Sequence, residues 1–350
     1  MPAPPAPPPL AARLHRAAAL VCLGAALTAC TGGGEGVVED GGVQAPPPAA
    51  GGAAVEVPEE TLVGWSAAEV PGLEQEIIGT WMARDGWEDL RLGHWLADNP
   101  DYAAYVGANP DGAADVGVPL VPHDSEEPVD ALLASALSGD HDDDYRAMGA
   151  ELARTGPRTV YARPWWEMNL EPGAEEIDRE AFRGAWSRAV PLVREGFAAA
   201  ARPGQELSVV FSPNADGAGY REFYPDGEHV DLVALDVYGQ RWGATTPEQG
   251  ELLDLVAGQL RDFAAFAEEV GKPVALAEWG NVAVQPGDPE GMQGLGDAPA
   301  YVDLVAAWAQ EHDAVYLVYF NSADGGVGQT LTDTPDSLEA LVAASGQQAP

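Results

Sequence analysis

Cysteine, lysine and positive charge are scarce in this chain of 350 residues. The two cysteines, Cys22 and Cys30, fall near the start, so the rest of the chain has no disulfide, thiolate nucleophile or cysteine-based zinc site. The 17 basic residues, of which Lys272 is the one lysine, face 56 acidic residues, and the net charge is −39. Because phosphate binding needs a basic surface, we expect no nucleic-acid partner. A neutral polymer such as a polysaccharide would meet no repulsion.

Recognisable metal and cofactor motifs are also missing. The six histidines are scattered, without ligand spacing such as His-x-x-x-His. No glycine-rich phosphate loop follows the first predicted strand, which argues against a dinucleotide-binding fold. We therefore predict no cofactor and no metal site, although the many acids leave an adventitious calcium site open.

The N-terminal segment is typical of an export signal. Arg13 and Arg16 precede an apolar run, residues 17–29, that is too short to span a bilayer comfortably. The run ends in Leu-Thr-Ala-Cys, closing at Cys30, and glycines follow. This resembles the lipobox of bacterial lipoproteins, which implies lipidation of Cys30 and an exported protein held at the membrane surface by its lipid alone. The alternative is an ordinary signal peptide that happens to contain a cysteine.

The remaining chain divides into a spacer and one domain. Residues 30–58 are rich in glycine, proline and alanine with scattered acids, a composition typical of a disordered linker. Residues 59–347 have the length of one barrel-sized domain, and we expect a monomer.

Within this domain, short apolar runs alternate with amphipathic helical patterns. This alternation indicates βα units around a parallel sheet. Eight strands fit a (β/α)8 TIM barrel better than an open, doubly wound sheet. The predicted strands are residues 61–65, 102–106 (the weakest), 117–121, 159–163, 207–212, 232–238, 274–278 and 315–320.

Two of these strands end in a glutamate beside tryptophan. One runs into Arg-Pro-Trp-Trp-Glu-Met-Asn, with Glu167, and another into Ala-Leu-Ala-Glu-Trp-Gly, with Glu278. In a barrel, catalytic residues lie at the C-terminal ends of strands. Two carboxylates facing each other across a cleft are the minimum equipment for cleaving a glycosidic bond.

The motifs resemble those of glycoside hydrolase family 26, the β-mannanase family. Residues 163–169 are similar to its acid/base motif, Arg-Pro-x-His-Glu-Met-Asn, residues 272–280 to its nucleophile strand, and residues 210–214 and 235–239 to its fifth and sixth strand ends. The resemblance implies a retaining endo-β-glycosidase of polysaccharide or oligosaccharide, with β-1,4-mannan as first candidate. Glu167 would be the general acid and then the base, Glu278 the nucleophile, and Tyr238 a hydrogen-bond partner of Glu278. Retention requires carboxyl groups about 5–5.5 Å apart.

Further residues are candidates for binding substrate or supporting the site. Arg163 lies four positions before Glu167, so on a strand both side chains would point the same way, and its role is either a site contact or an ion pair. We expect Asp236 to make a hydrogen bond inside the barrel. The other candidates are His123, which the family resemblance suggests as a sugar ligand, Asn169 and Asn214 as loop or hydroxyl contacts, and Trp165, Trp166 and Trp279 as stacking surfaces or core.

One departure from the family pattern bears on specificity. Trp166 stands where the family has the histidine that precedes the acid/base. The same chemistry on another β-glycan, such as xylan, mixed-linkage glucan or an envelope glycan, is therefore open. A non-catalytic carbohydrate-binding lipoprotein on a barrel scaffold is a further alternative, disfavoured by the presence of both glutamates.

Overall fold

The computed structural model describes residues 60–346 apart from 67–69, 71, 93–95, 97–98, 171–172, 218, 243–247, 284–291 and 323–328. The predicted signal segment, Cys30 and the spacer lie outside the described residues. Among the helices in the described part of the chain, none is both long enough and apolar enough to cross a bilayer.

Eight parallel strands close into a barrel, each paired with the next and the last paired with the first. The predicted (β/α)8 TIM barrel is therefore confirmed. The strands are β1 Leu62–Ser66, β2 Ile77–Trp81, β3 Ala113–Val118, β4 Thr159–Pro164, β5 Glu206–Phe211, β6 Leu232–Tyr238, β7 Val274–Gly280 and β8 Tyr316–Tyr319.

Helices surround the barrel, and their ends follow ordinary capping chemistry. The Asp178 side chain accepts hydrogen bonds from the backbone N–H groups of Glu180 and Ala181 and so begins the longest helix before β5. Between β5 and β6 the described residues form 3₁₀ turns, Tyr220–Phe223 and Gly227–His229, in place of an α-helix. The helices are α1 Trp87–Leu92, α2 Pro100–Ala108, α3 Val129–Ser138, α4 Asp142–Thr155, α5 Arg179–Ala200, α6 Gln249–Val270, α7 Pro299–His312 and α8 Pro335–Ala344.

The second strand was wrongly predicted. Residues 102–106 lie in α2, which Asn99 caps and in which Pro100 takes the first helical position. Tyr102 and Tyr105 are three residues apart and both buried, which is helical spacing. The actual second strand is β2, Ile77–Trp81. The third strand also begins earlier than predicted, at Ala113.

Two glycines let α4 and α5 pack with their backbones in contact. A Cβ atom added at Gly149 would overlap the carbonyl oxygen of Val193, and one added at Gly196 would overlap the carbonyl oxygen of Arg146. These backbone atoms cannot move without shifting a helix. This close crossing fixes the helices that flank β4 and β5.

Candidate active site

A β-bulge turns Glu278 into the barrel. Leu276 lies opposite Leu235 of β6, but the next pair is Glu278 with Asp236, so β7 carries one extra residue between the two pairs. Trp279, on the next position, points outwards. It is 1% exposed and packs edge to face against Tyr301 and Tyr319. The prediction that Trp279 stacks on substrate is therefore wrong, because its ring is part of the core.

Both carboxylate oxygens of Glu278 are held by donors. Oε1 accepts from the Trp81 indole Nε1 at 2.8 Å and from Arg163 Nη2 at 3.0 Å. Oε2 accepts from the Tyr238 hydroxyl at 2.9 Å. Glu278 is 5% exposed and lies at the C-terminal end of β7. Its orientation is therefore fixed, and the two oxygens have different surroundings.

Arg163 lies beneath Glu278 at the centre of a buried group of charges. Its Nε is 2.8 Å from Oδ2 of Asp115, its Nη1 is 3.1 Å from Oδ2 of Asp236, and its Nη2 reaches Glu278. Arg163 is 0% exposed, so it cannot touch a substrate, and the prediction of a substrate contact is wrong. Its alternative role, an ion pair, is the one found. Glu167 lies after the end of β4, so its side chain does not point the same way as that of Arg163.

Burial and mutual repulsion disturb the acids around Arg163. Burial raises the pKa of Asp115 to about 6, against the lowering effects of the Arg163 charge and of the Tyr316 hydroxyl, which donates to Oδ1 at 2.8 Å. Burial, then the charge of Glu278, raises the pKa of Asp236 well above its ordinary range. The hydrogen bonds of Asp236 inside the barrel are those expected from the sequence.

Glu167 lies in a strained turn that follows β4. The φ angles of Trp165 and Glu167 are 47° and 56°, a left-handed conformation that non-glycine residues rarely adopt. Backbone hydrogen bonds hold the turn, from Trp165 N to the carbonyl of Val118 and from Glu167 N to the carbonyl of Ser212, at 2.8 and 2.9 Å. Such strain persists where the surroundings enforce it, and it concentrates at functional sites.

The two predicted catalytic carboxylates face each other. One oxygen of Glu167, one of Glu278 and one of Asp236 all lie within 4.8 Å of one another. Retaining glycosidases hold their two carboxyl groups about 5–5.5 Å apart and inverting ones about 6.5–9.5 Å apart, so this close approach of single oxygens favours the retaining arrangement. The three acids are the one group among the described residues that offers a metal a set of carboxylate ligands.

Two asparagines join the loops that follow β4 and β5. Asn214 donates from Nδ2 to Oε1 of Glu167 at 2.6 Å. Asn169 donates from Nδ2 to the carbonyl of Asn214 at 2.8 Å and accepts at Oδ1 from the backbone N of Asn214 at 2.9 Å. The sequence left two roles open for Asn169, and the structure shows that it holds the loops together. Both polar atoms of its side-chain amide bind backbone atoms of Asn214, and the residue is 2% exposed.

Comparison with known proteins rests on structure. No protein-family model and no curated protein matches this sequence. Solved structures do match. The family 26 β-mannanase of Bacteroides ovatus is 15% identical, with TM-score 0.54, over 82% of this chain and 89% of that one. The catalytic domain of the Bacillus sp. JAMB-750 family 26 endo-β-1,4-mannanase is 16% identical, with TM-score 0.55, over 82% and 89%.

A Cellulomonas fimi endo-β-1,4-mannanase double mutant is 18% identical, with TM-score 0.53, over 83% of this chain and 75% of that one. The fold is that of the family 26 β-mannanases. At these identities the likeness covers the fold alone.

At the C-terminal ends of β2, β3 and β4, the side chains around Trp166 differ from the family pattern. The ring of Trp166, 7% exposed, packs on Gly117, where an added Cβ would lie 2.8 Å from Trp166 Cε3, and the Arg84 guanidinium covers it at 4.8 Å. Arg84 Nη1 also lies 2.8 Å from His123 Nε2, so Nε2 must be the acceptor and Nδ1–H donates to Val121 O at 2.9 Å.

His123 is therefore neutral and built into the rim. Burial and the charge of Arg84 hold the pKa of His123 well below its ordinary value, and its ring stacks on Trp165 at 5.0 Å. Trp165 is 0% exposed and belongs to the core. The structure thus places His123 and Trp166 at the cleft edge, held by Arg84, and removes Trp165 from the candidates for stacking.

Sequence reasoning missed two aromatic residues beside Glu278. Trp81, at the end of β2, and Phe320, just after β8, are half-buried and meet edge to face at 5.6 Å, and Phe320 meets Tyr238 at 6.2 Å. Trp81 was missed because β2 was not recognised, although Ile77 and Ile78 followed by Gly-Thr-Trp form a short β-prone run. These rings give the cleft an aromatic wall.

Proposed function

We propose that this chain belongs to glycoside hydrolase family 26 and is a retaining endo-β-glycosidase, with Glu167 as acid/base and Glu278 as nucleophile. The observation that carries the proposal is the facing pair of carboxylates, with one oxygen of each within 4.8 Å of the other at the C-terminal end of a (β/α)8 TIM barrel. The ordered motifs of the sequence and the mannanase fold support it.

In the first step Glu167, protonated, gives its proton to the glycosidic oxygen as the bond to the anomeric carbon breaks. Glu278 forms a covalent ester with that carbon from the opposite face. Among the described residues, both Arg163 and Trp81 donate to Oε1 of Glu278, whereas Tyr238 donates to Oε2. Oε2 is therefore the attacking oxygen.

In the second step Glu167, now a carboxylate, takes a proton from water, and the resulting hydroxide attacks the anomeric carbon. The ester to Glu278 breaks and the carboxylate is restored. Because each displacement inverts the carbon, the product keeps the β configuration. Tyr238 and Arg163 keep the leaving carboxylate in its place throughout.

A neutral polysaccharide fits this cleft best, and β-1,4-mannan is the leading substrate. The aromatic wall of Trp81, Phe320 and Tyr238 offers flat surfaces to sugar rings, while the net charge of −39 would repel an acidic glycan. Trp166 under Arg84, at the place of the family's histidine, favours a second candidate, the same chemistry on another neutral β-glycan.

We also propose that Cys30 carries a lipid that anchors the exported enzyme. The support is the Leu-Thr-Ala-Cys motif with its small residues before Cys30 and the glycine-rich spacer behind it. A tether of this composition would let the barrel reach polymer beyond the membrane surface.

A substrate screen tests the catalytic proposal. A soluble form starting at Thr31 would be incubated with β-mannans, xylans, mixed-linkage glucans and envelope glycans, and new reducing ends would be measured. Release from mannan, absent in Glu278→Ala, is the expected result. Release only from another β-glycan selects the second candidate. Binding of a glycan without release would replace the enzyme by a carbohydrate-binding lipoprotein.

A further inference from the structure

We propose that Asn214 and Asn169 are positioning residues that decide which oxygen of Glu167 carries the catalytic proton. The inference rests on the proposed function for the role of Glu167, and it goes beyond that function by assigning the support of the acid to the loop that follows β5. The contacts involved are all between described residues.

The orientation of the Asn214 amide is set by the main chain. The backbone N–H of Asp216 points at Asn214 Oδ1 at 2.8 Å, and an N–H can only donate. Oδ1 must therefore face Asp216, which leaves the NH₂ group facing Oε1 of Glu167 at 2.6 Å. A flipped amide would place two donors together at Asp216 and two acceptors together at Glu167.

Because Asn214 donates to Oε1, the acid proton of Glu167 belongs on Oε2. A proton on Oε1 would confront the N–H of Asn214 and lose that hydrogen bond. When Glu167 is a carboxylate, the same N–H stabilises the charge. Asn214 thus serves both states of an acid/base residue, and it directs the proton to one oxygen.

Asn169 holds Asn214 in place. It is buried, and its amide makes one hydrogen bond to the backbone N and one to the backbone O of Asn214. Gly217 makes room for Asn169, because a Cβ atom at position 217 would overlap the side-chain amide of Asn169 and lie 2.6 Å from its backbone carbonyl oxygen. With the hydrogen bond from Glu167 N to Ser212 O, these contacts lock the strained turn of Glu167 onto the loop after β5.

A titration that needs no substrate tests the role of Asn214. The side-chain carbonyls of glutamate are labelled with ¹³C, the Glu167 signal is assigned by its loss in Glu167→Gln, and its pH titration is compared in the native protein and in Asn214→Asp. The variant has the same shape but replaces the donor by a carboxylate, so Glu167 should bind its proton at higher pH. An unchanged titration of Glu167 overturns the proposal.

A kinetic comparison tests the role of Asn169. Asn169→Ala should lower kcat/KM on polymer about 10–100-fold, because a displaced acid protonates a poor leaving group badly. On an activated aryl glycoside, which needs little protonation, kcat/KM should change by less than about threefold. Asn169→Asp, which keeps the acceptor for Asn214 N, should recover part of the loss. Equal losses on both substrates would mean that Asn169 only supports the fold, and would overturn its role.

The controls separate this inference from the proposed function. Asn109→Ala, at the end of α2 and remote from the cleft, should leave both rates unchanged. Glu167→Ala should show the polymer-against-aryl difference in stronger form. If Glu167→Ala does not show it, the proposed function fails, while the ¹³C titration still decides whether Asn214 controls the Glu167 proton.

Discussion

The Tyr238 hydroxyl donates to Oε2 of Glu278 at 2.9 Å, the oxygen that neither Trp81 nor Arg163 touches. A phenol hydrogen-bonded to the attacking oxygen can hold it in line with the anomeric carbon and stabilise it when the ester is released. Burial, then the charge of Glu278, holds the pKa of Tyr238 well above its ordinary value, so the phenol remains a donor at every working pH.

Removing this hydroxyl should damage turnover without damaging the fold. Tyr238→Phe should lower kcat about 10–100-fold, the worth of a hydrogen bond to a charged group, while the unfolding midpoint changes little. The measurement is steady-state kinetics on the substrate found by the screen. Tyr161→Phe, in the first half of β4, is the matched control and should leave kcat unchanged. Equal rates for Tyr238→Phe and native protein would remove Tyr238 from the mechanism.

Arg163 should matter for stability far more than a surface arginine does. Arg163→Met leaves Asp115, Asp236 and Glu278 buried without their cation, and we expect a loss of about 3–5 kcal/mol in the free energy of unfolding. Arg194→Met breaks a surface pair with Asp231 and should cost at most about 1 kcal/mol. Urea unfolding of both variants provides the comparison, and similar losses would contradict the account of the buried charges.

The sequence supplied the barrel, six of the eight strands nearly in place and both glutamates, because strand runs and strand-end motifs are local signals. It could not supply the bulge in β7. The alternation of inward and outward side chains along a regular strand does not predict that Ala277 and Glu278 both point inward. Whether Trp279 faces the cleft or the core therefore depends on how β7 pairs with β6. The contact of Trp81 with Glu278 and the ion pairs of Arg163 could not be predicted either, because contacts between distant strands produce no pattern in the sequence of either strand.

Asp115 should make stability depend on pH in a direction opposite to that of most carboxylates. The pKa of Asp115 is about 6 in the folded protein, against 3.8 for an unperturbed aspartate. Between these two pH values the folded protein therefore binds more protons than the unfolded chain. Stability therefore falls as pH rises from about 4 to 6, by about 3 kcal/mol for this group, and is level above. Asp115→Asn should lack that fall. Urea unfolding at pH 4, 5, 6 and 7 should show that the free energy of unfolding of the native protein falls relative to that of the variant as pH rises. A difference that stays constant with pH would refute the assignment.

The anchor can be tested in the producing cell. If Cys30 is the lipidated residue, Cys30→Ser should move the protein from the membrane fraction to the soluble exported fraction. Cys22→Ser, inside the proposed signal, is the control and should leave the distribution as it is. Retention of Cys30→Ser in the membrane to the native extent would show that the motif is not a lipobox.

The most direct test of the central claim separates the two glutamates by role. Activated aryl β-glycoside is given to Glu167→Ala and Glu278→Ala, with and without azide. Without azide, Glu278→Ala should release no phenol, because no covalent intermediate can form. With azide, which can take the place of the missing carboxylate, it should give the α-glycosyl azide by a single inversion. Glu167→Ala should release phenol in a burst and then stall as the glycosyl-enzyme, which azide resolves to a β-glycosyl azide, while its polymer activity falls about 10²–10⁴-fold. Native rates for either variant, or an α-configured azide product from Glu167→Ala, would contradict a double displacement at Glu167 and Glu278.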